Sequence, residues 1–191
     1  MSARRILITG AGGFVGRALA LGFADLGWAV VALDRLFDAA PTDARIRQVR
    51  CELADGVPQE VGPVPVVVHG AWITTDPELL DVSRDEYRRD NLDPLIAALR
   101  YAAMGAPDAF VFLSSSGVFG PHDASAGLTD TDEPTGVSPY AMLKRLGERH
   151  VLEGCGPTTA PHVVRLGYLF GPGEAARPTR QRVSLVASWS A

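Results

Sequence analysis

Residues Thr9-Gly10-Ala11-Gly12-Gly13-Phe14-Val15-Gly16 constrain this chain more than any other stretch, because four glycines sit between an apolar, β-branched run and a helix-period run. A strand that feeds a helix through such a turn leaves backbone N–H groups bare at the positive end of the helix, where an anion is favoured. Gly10 allows the tight turn, Gly13 lets backbone approach a pyrophosphate, and Gly16 permits close helix–strand contact. The spacing is G-x-x-G-x-x-G at 10, 13 and 16; position 15 is valine where the commoner G-x-G-x-x-G needs glycine.

The rest of the chain repeats the strand-then-helix rhythm. Short apolar runs at Arg5–Thr9, Ala29–Asp34, Ile46–Arg50, Val64–His69, Ala109–Ser114 and His162–Leu166 read as buried parallel strands. Helix-period stretches at Phe14–Leu26, Arg84–Met104 and Pro139–Glu153 lie between them, with Gly27 and Gly105 as stops and Asp93-Pro94 as a kink. The expected fold is α/β, a Rossmann-type doubly wound parallel sheet with helices on both faces. The loop at Pro121–Ser138 is long enough for a ligand-facing role.

Composition narrows the partners. A hydrophobic content of 47% over 191 residues supports one core, and a net charge of −4 from interspersed acids and bases argues against a nucleic-acid or anionic-membrane surface. Cys51 and Cys155 have no metal-ligand spacing, so no metal is expected and a reducing, cytoplasmic location fits. The apolar run at the N-terminus stops at Gly10, too short for a signal core or a membrane span.

Asp34 ends the second strand, where a carboxylate accepts hydrogen bonds from ribose hydroxyls and repels a 2′-phosphate, which favours NAD over NADP. Arg35, next in sequence, is the residue that could instead cradle that phosphate. His69-Gly70-Ala71-Trp72 ends the fourth strand; the small residues admit a cofactor, and His69 reads as a structural hydrogen-bonder.

The chemistry-bearing set is Ser114-Ser115-Ser116 at the end of the fifth strand with Tyr140 and Lys144, spaced i, i+4 on one helix face. A tyrosine titrates near ~10, and lowering that by about three units takes roughly 4 kcal/mol, which a neighbouring ammonium could supply. Lys144 is the expected source of that charge.

In order along nearly the whole chain, TGAGGFVG at 9–16, Asp34, HGA at 69–71, Asn91, SSSGVFG at 114–120, SPYAMLK at 138–144 and RLGYLFGPG at 165–173 resemble the motifs of the extended short-chain dehydrogenases/reductases, the NAD-dependent epimerase/dehydratase family. The resemblance implies Ser115 as catalytic serine, with Ser116 as fallback, and Tyr140 as the acid/base. It implies that Lys144 also holds the nicotinamide ribose and that Asn91 supports the active-site end of its helix. Glu52-Leu53 resembles the segment that passes the adenine. The cofactor set is thus Gly10, Gly12, Gly13, Phe14, Val15, Gly16, Asp34, Arg35, Glu52, Leu53, His69, Gly70, Ala71, Asn91, Tyr140 and Lys144.

Two positions depart from the pattern: Phe119 stands where tyrosine is usual, and Tyr168 where many sugar-nucleotide members have asparagine. The resembled family continues into a region that completes the substrate pocket, so residues 1–175 are expected to form the dinucleotide-binding domain and 176–191 the start of a truncated substrate region or a frayed tail. The basic run Arg177–Arg182 reads as frayed. The expected activity is hydride transfer at a hydroxyl-bearing carbon of a small substrate, a sugar or sugar nucleotide being one class; the alternative is a non-catalytic NAD-binding sensor or scaffold. A homodimer through Arg84–Met104 and Pro139–Glu153 is expected from the resemblance alone.

Overall fold

The computed structural model describes residues 4–120, 127–177 and 184. Six parallel strands form one sheet: β1 (Arg5–Thr9), β2 (Ala29–Asp34), β3 (Ile46–Arg50), β4 (Val66–His69), β5 (Ala109–Ser115) and β6 (Ala160–Leu166), in the order β3-β2-β1-β4-β5-β6. The order reverses between β1 and β4, which opens a crevice at the carboxyl ends of those strands. The α-helices among the described residues are α1 (Phe14–Asp25), α2 (Pro77–Leu80), α3 (Arg84–Gly105) and α4 (Pro139–Gly154).

The sheet separates two cores, as alternating strand residues require. Ile6, Ile8, Val30, Ala32 and Val68 pack with Ala20 and Ala24 of α1 on one face. Leu7, Val31, Val67, Phe110 and Phe112 pack with Leu95, Leu99, Leu143 and Val151 of α3 and α4 on the other. The two helices that carry the catalytic candidates and Asn91 therefore lie on the face opposite α1.

Both long helices start on a serine: Ser83 accepts from Glu86 N at 3.1 Å and Ser138 accepts from Ala141 N at 3.1 Å. Pro139 occupies the first turn of α4, where its missing N–H costs nothing. Helix α3 carries Pro94 inside it, as the stretch Arg84–Met104 required. The short α2 has no counterpart in the sequence reading. Strand β4 begins at Val66, after Pro65, which cannot donate to the ladder.

Candidate functional site

The glycine turn is shaped by close backbone approach. Gly10 adopts φ +71°, and a Cβ there would lie 2.5 Å from the backbone of Gly70 and Ala71. The turn is thus pressed against the end of β4. A Cβ on Gly16 would meet Gly10 O at 2.2 Å, and one on Gly12 would meet Leu36 O at 2.0 Å. At Gly13, which caps α1, the nearest atom would be Gly10 O at 3.2 Å. Gly10, Gly12 and Gly16 are therefore required by the turn itself, whereas Gly13 faces more open space.

Asp34 locks this turn to β2. Its Oδ2 accepts from Gly12 N at 2.9 Å and its Oδ1 from Leu36 N at 3.1 Å, so both oxygens are oriented by backbone. A cleft of about 490 Å³ opens beside it, lined by Gly10, Gly13, Asp34, Arg35, Glu52, Leu53, Gly70, Ala71 and Trp72 among others. Arg35 and Glu52 face each other at 4.0 Å, half-exposed. Arg177 also lines the cleft and pairs with Asp38; the remainder of the basic tail, 178–182, and residues 121–126 of the long loop lie outside the described residues.

Other expected cofactor residues act behind this lining. Val15 packs into the α1 core, and Phe14 opens α1. Asn91 is buried: its Oδ1 accepts from Ile73 N at 2.7 Å and its Nδ2 donates to Tyr87 O at 2.9 Å. Tyr87 in turn donates to Ile73 O at 3.0 Å, so the two side chains hold the cleft-lining segment after β4 in place. His69 is buried between Phe110 and Phe112, with Nδ1 against Thr9 Oγ1 at 2.9 Å and Nε2 without a hydrogen-bond partner among the described residues. Burial pulls its pKa down to about 3, and the charge of Lys144 adds to that, so it is a neutral structural imidazole.

The three serines divide. Ser114 is buried and donates to Glu148 Oε1, whereas Ser115 lies beside Tyr140, whose pKa it pulls down, and its Oγ accepts from Gly117 N at 3.0 Å. Ser116 opens the 3-10 turn that follows β5. Gly117 leaves room for this pair, since a Cβ there would lie 3.3 Å from Ser115 Oγ and 3.4 Å from the Tyr140 ring.

Lys144 departs from the expectation drawn from its spacing. Its Nζ donates to Leu113 O at 2.7 Å and lies 4.1 Å from the Trp72 ring centroid, 4.7 Å from that of Phe112 and 6.0 Å from that of Tyr140. Burial lowers the ammonium pKa to about 7, with Glu148 opposing that fall. Tyr140 is pushed above the ordinary phenol value by burial, while the Ser115 hydrogen bond pulls the other way and Asp76 adds to the rise. Burial thus favours the protonated phenol, and the ammonium is turned toward a carbonyl and two other rings.

Glu148 and Arg165 escaped the sequence reading. Arg165 Nε donates to Glu148 Oε1 at 3.1 Å and Nη2 to Oε2 at 2.9 Å, tying β6 to α4. The spacing 140, 144, 148 was the available signal, since it places a carboxylate on the same buried stripe as Lys144. Arg165 also lies 5.1 Å from the Phe119 ring centroid, which gives that departure from the family pattern a local packing role. Tyr168 is fully exposed. A further signal is that Lys144 is the single lysine in a chain that otherwise uses arginine for its basic side chains.

A family model for the NAD dependent epimerase/dehydratase family matches residues 6–189. The chain belongs to that family. It is 31% identical, over 97% of its length and 59% of the relative's, to a 2-alkyl-3-oxoalkanoate reductase of Stenotrophomonas maltophilia. It is 30% identical, over 91% of its length and 48% of the relative's, to a dTDP-4-dehydrorhamnose reductase of Mycolicibacterium smegmatis. The chain thus spans between 48% and 59% of these curated relatives.

Among solved structures it is similar to MoeE5 in complex with UDP-glucose and NAD, with a TM-score of 0.76 and 26% identity over 90% of this chain and 56% of that one. It is also similar to TunA, an NAD-dependent NDP-hexosamine 5,6-dehydratase, with a TM-score of 0.74 and 26% identity over 90% of this chain and 57% of that one. Among the described residues no helix is long and apolar enough to cross a membrane, and no group of three or more His, Cys, Asp or Glu could hold a metal.

Proposed function

We propose that the chain is the cofactor-binding portion of an NAD-dependent oxidoreductase, epimerase or dehydratase acting at a hydroxyl-bearing carbon of a small substrate, with sugar nucleotides the leading class. The observation that carries this is the meeting of Ser115 and Tyr140 around Gly117, at the carboxyl edge of the sheet that also bears the glycine cleft. Ligands of open α/β sheets lie at that edge. Both curated relatives are named as reductases, and the solved neighbours as enzymes or complexes of sugar nucleotides.

The cleft fits a dinucleotide, since the turn at Gly10, Gly12 and Gly16 excludes side chains and Asp34 stands ready at its far end. Gly10, Gly13, Asp34, Leu53, Gly70 and Ala71 would hold NAD, which supplies hydride exchange with carbon when bound. Ser115 Oγ orients the substrate oxygen. Tyr140 Oη, kept protonated by burial, donates its proton to that oxygen when a carbonyl is reduced and recovers one from a hydroxyl in the opposite direction. The charge of Lys144, 6.0 Å from the Tyr140 ring centroid, would favour the phenolate left behind, and Asp34 favours NAD over NADP by repelling a 2′-phosphate.

Tyr140→Phe tests the reading. With a panel of nucleotide sugars and 3-oxoacyl compounds, nicotinamide absorbance should report turnover in the parent and at least a hundredfold less in the variant, with NAD affinity unchanged. Equal turnover in the two proteins would remove Tyr140 from the chemistry. Intact NAD binding with no turnover in either would favour the sensor or scaffold.

A further inference from the structure

Trp72 stands between the glycine cleft and the catalytic candidates. One side of it lines the cleft, and its ring face lies 4.1 Å from Lys144 Nζ. Phe112 meets Trp72 edge-on at 5.5 Å and presents its own ring 4.7 Å from the same ammonium. Helix α4 makes room for both rings through Gly147, where a Cβ would come 2.9 Å from Phe112 Cζ and 3.3 Å from Trp72 Cη2. The sequence thus places a glycine one turn beyond its single lysine, opposite one aromatic residue within β5 and one just after β4.

A buried ammonium loses its water and must find replacements. Nζ has three donors, and the Leu113 carbonyl takes one at 2.7 Å. The ring faces of Trp72 and Phe112 present negative π density to the remaining positive surface. The indole is the better of the two partners in distance and in kind, since tryptophan gives the strongest cation–π contact.

We propose that Trp72 is a positioning residue for Lys144: with Phe112 and the Leu113 carbonyl it forms the seat that fixes the direction of the ammonium on the helix face it shares with Tyr140. Its relevance to catalysis rests on the function proposed above, but the seat itself does not. The other titratable groups around Lys144 are Tyr140 and Glu148 on α4 and His69 at the end of β4, with Arg165 of β6 acting through Glu148. Glu148 favours the ammonium; His69 stays neutral and leaves the charge unopposed from the β4 side.

The single lysine makes the test direct, because a lysine labelled at Cε gives one side-chain NMR signal in the whole chain. In the parent protein its pH titration should have a midpoint near neutrality. Trp72→Leu should move the midpoint down by roughly one pH unit, and Trp72→Phe, which keeps a weaker ring face, should move it in the same direction by less. An unchanged midpoint in both variants, or a rise, would overturn the proposal, a rise meaning that the indole only excludes water. If Trp72→Leu does not fold, Trp72→Phe decides alone by the same criterion. NAD calorimetry on the same proteins separates the two readings: absent NAD binding with a downward Lys144 shift removes the proposed function and leaves the seat standing.

Discussion

Replacing Glu148 with glutamine removes one negative charge from a side chain that is 7% exposed and leaves the paired Arg165, 23% exposed, with half of its fork unmatched. In the parent, Oε1 receives Ser114 Oγ and Arg165 Nε, and Oε2 receives Arg165 Nη2. Whichever way the new amide turns, its NH₂ faces a donor that it cannot satisfy. A hydrogen bond to a charged group contributes roughly 1.5–3 kcal/mol, and water reaching the partly exposed guanidinium recovers some of that, so the loss should be about 2 kcal/mol. Urea unfolding of Glu148→Gln, Arg165→Met and the double variant closes a thermodynamic cycle. Coupling above about 1 kcal/mol is expected; coupling under about 0.3 kcal/mol would show that the pair contributes nothing to holding β6 against α4.

Two further perturbations probe the site from different sides. Gly12→Ala puts a Cβ 2.0 Å from Leu36 O and must break the Gly12 N to Asp34 bond, so it should cost about 2–4 kcal/mol in urea unfolding and weaken NAD binding together; an unaltered protein would refute the packing of the turn. Lys144 has its folded pKa lowered to about 7 from 10.5, so the unfolded chain binds the extra proton between those values and stability should rise with pH across that window. Relative to Lys144→Met, the parent should gain stability at a slope approaching ~1.4 kcal/mol per pH unit between those limits, measured by urea midpoints; a flat difference would place the ammonium in water.

The parts that were legible in the sequence are those governed by local pattern. Strands β1, β2 and β3 lie where the β-branched runs placed them, because each run ends in a glycine turn, an aspartate or a change of period. Helix α3 lies where its period placed it, with Pro94 carried inside it. The glycine turn was legible, but the demand on Gly12 was not: only the folded backbone shows that Leu36 O crowds Gly12 while Gly13 keeps its space. Spacing placed Tyr140 and Lys144 on one face, yet the direction of the ammonium depends on Trp72, just after β4, and Phe112, within β5, both far away in sequence. Glu148 was within reach of the same i, i+4 argument.

Calorimetric titration of the chain with NAD and then NADP, repeated on Gly13→Val and Asp34→Asn, tests the central claim most directly. Saturable NAD binding is expected, tighter than NADP, weakened at least tenfold by a side chain at Gly13 and reduced in its preference for NAD when Asp34 loses its charge. Binding of neither dinucleotide, or NAD binding indifferent to Gly13→Val, would contradict the assignment of the glycine cleft as the cofactor site.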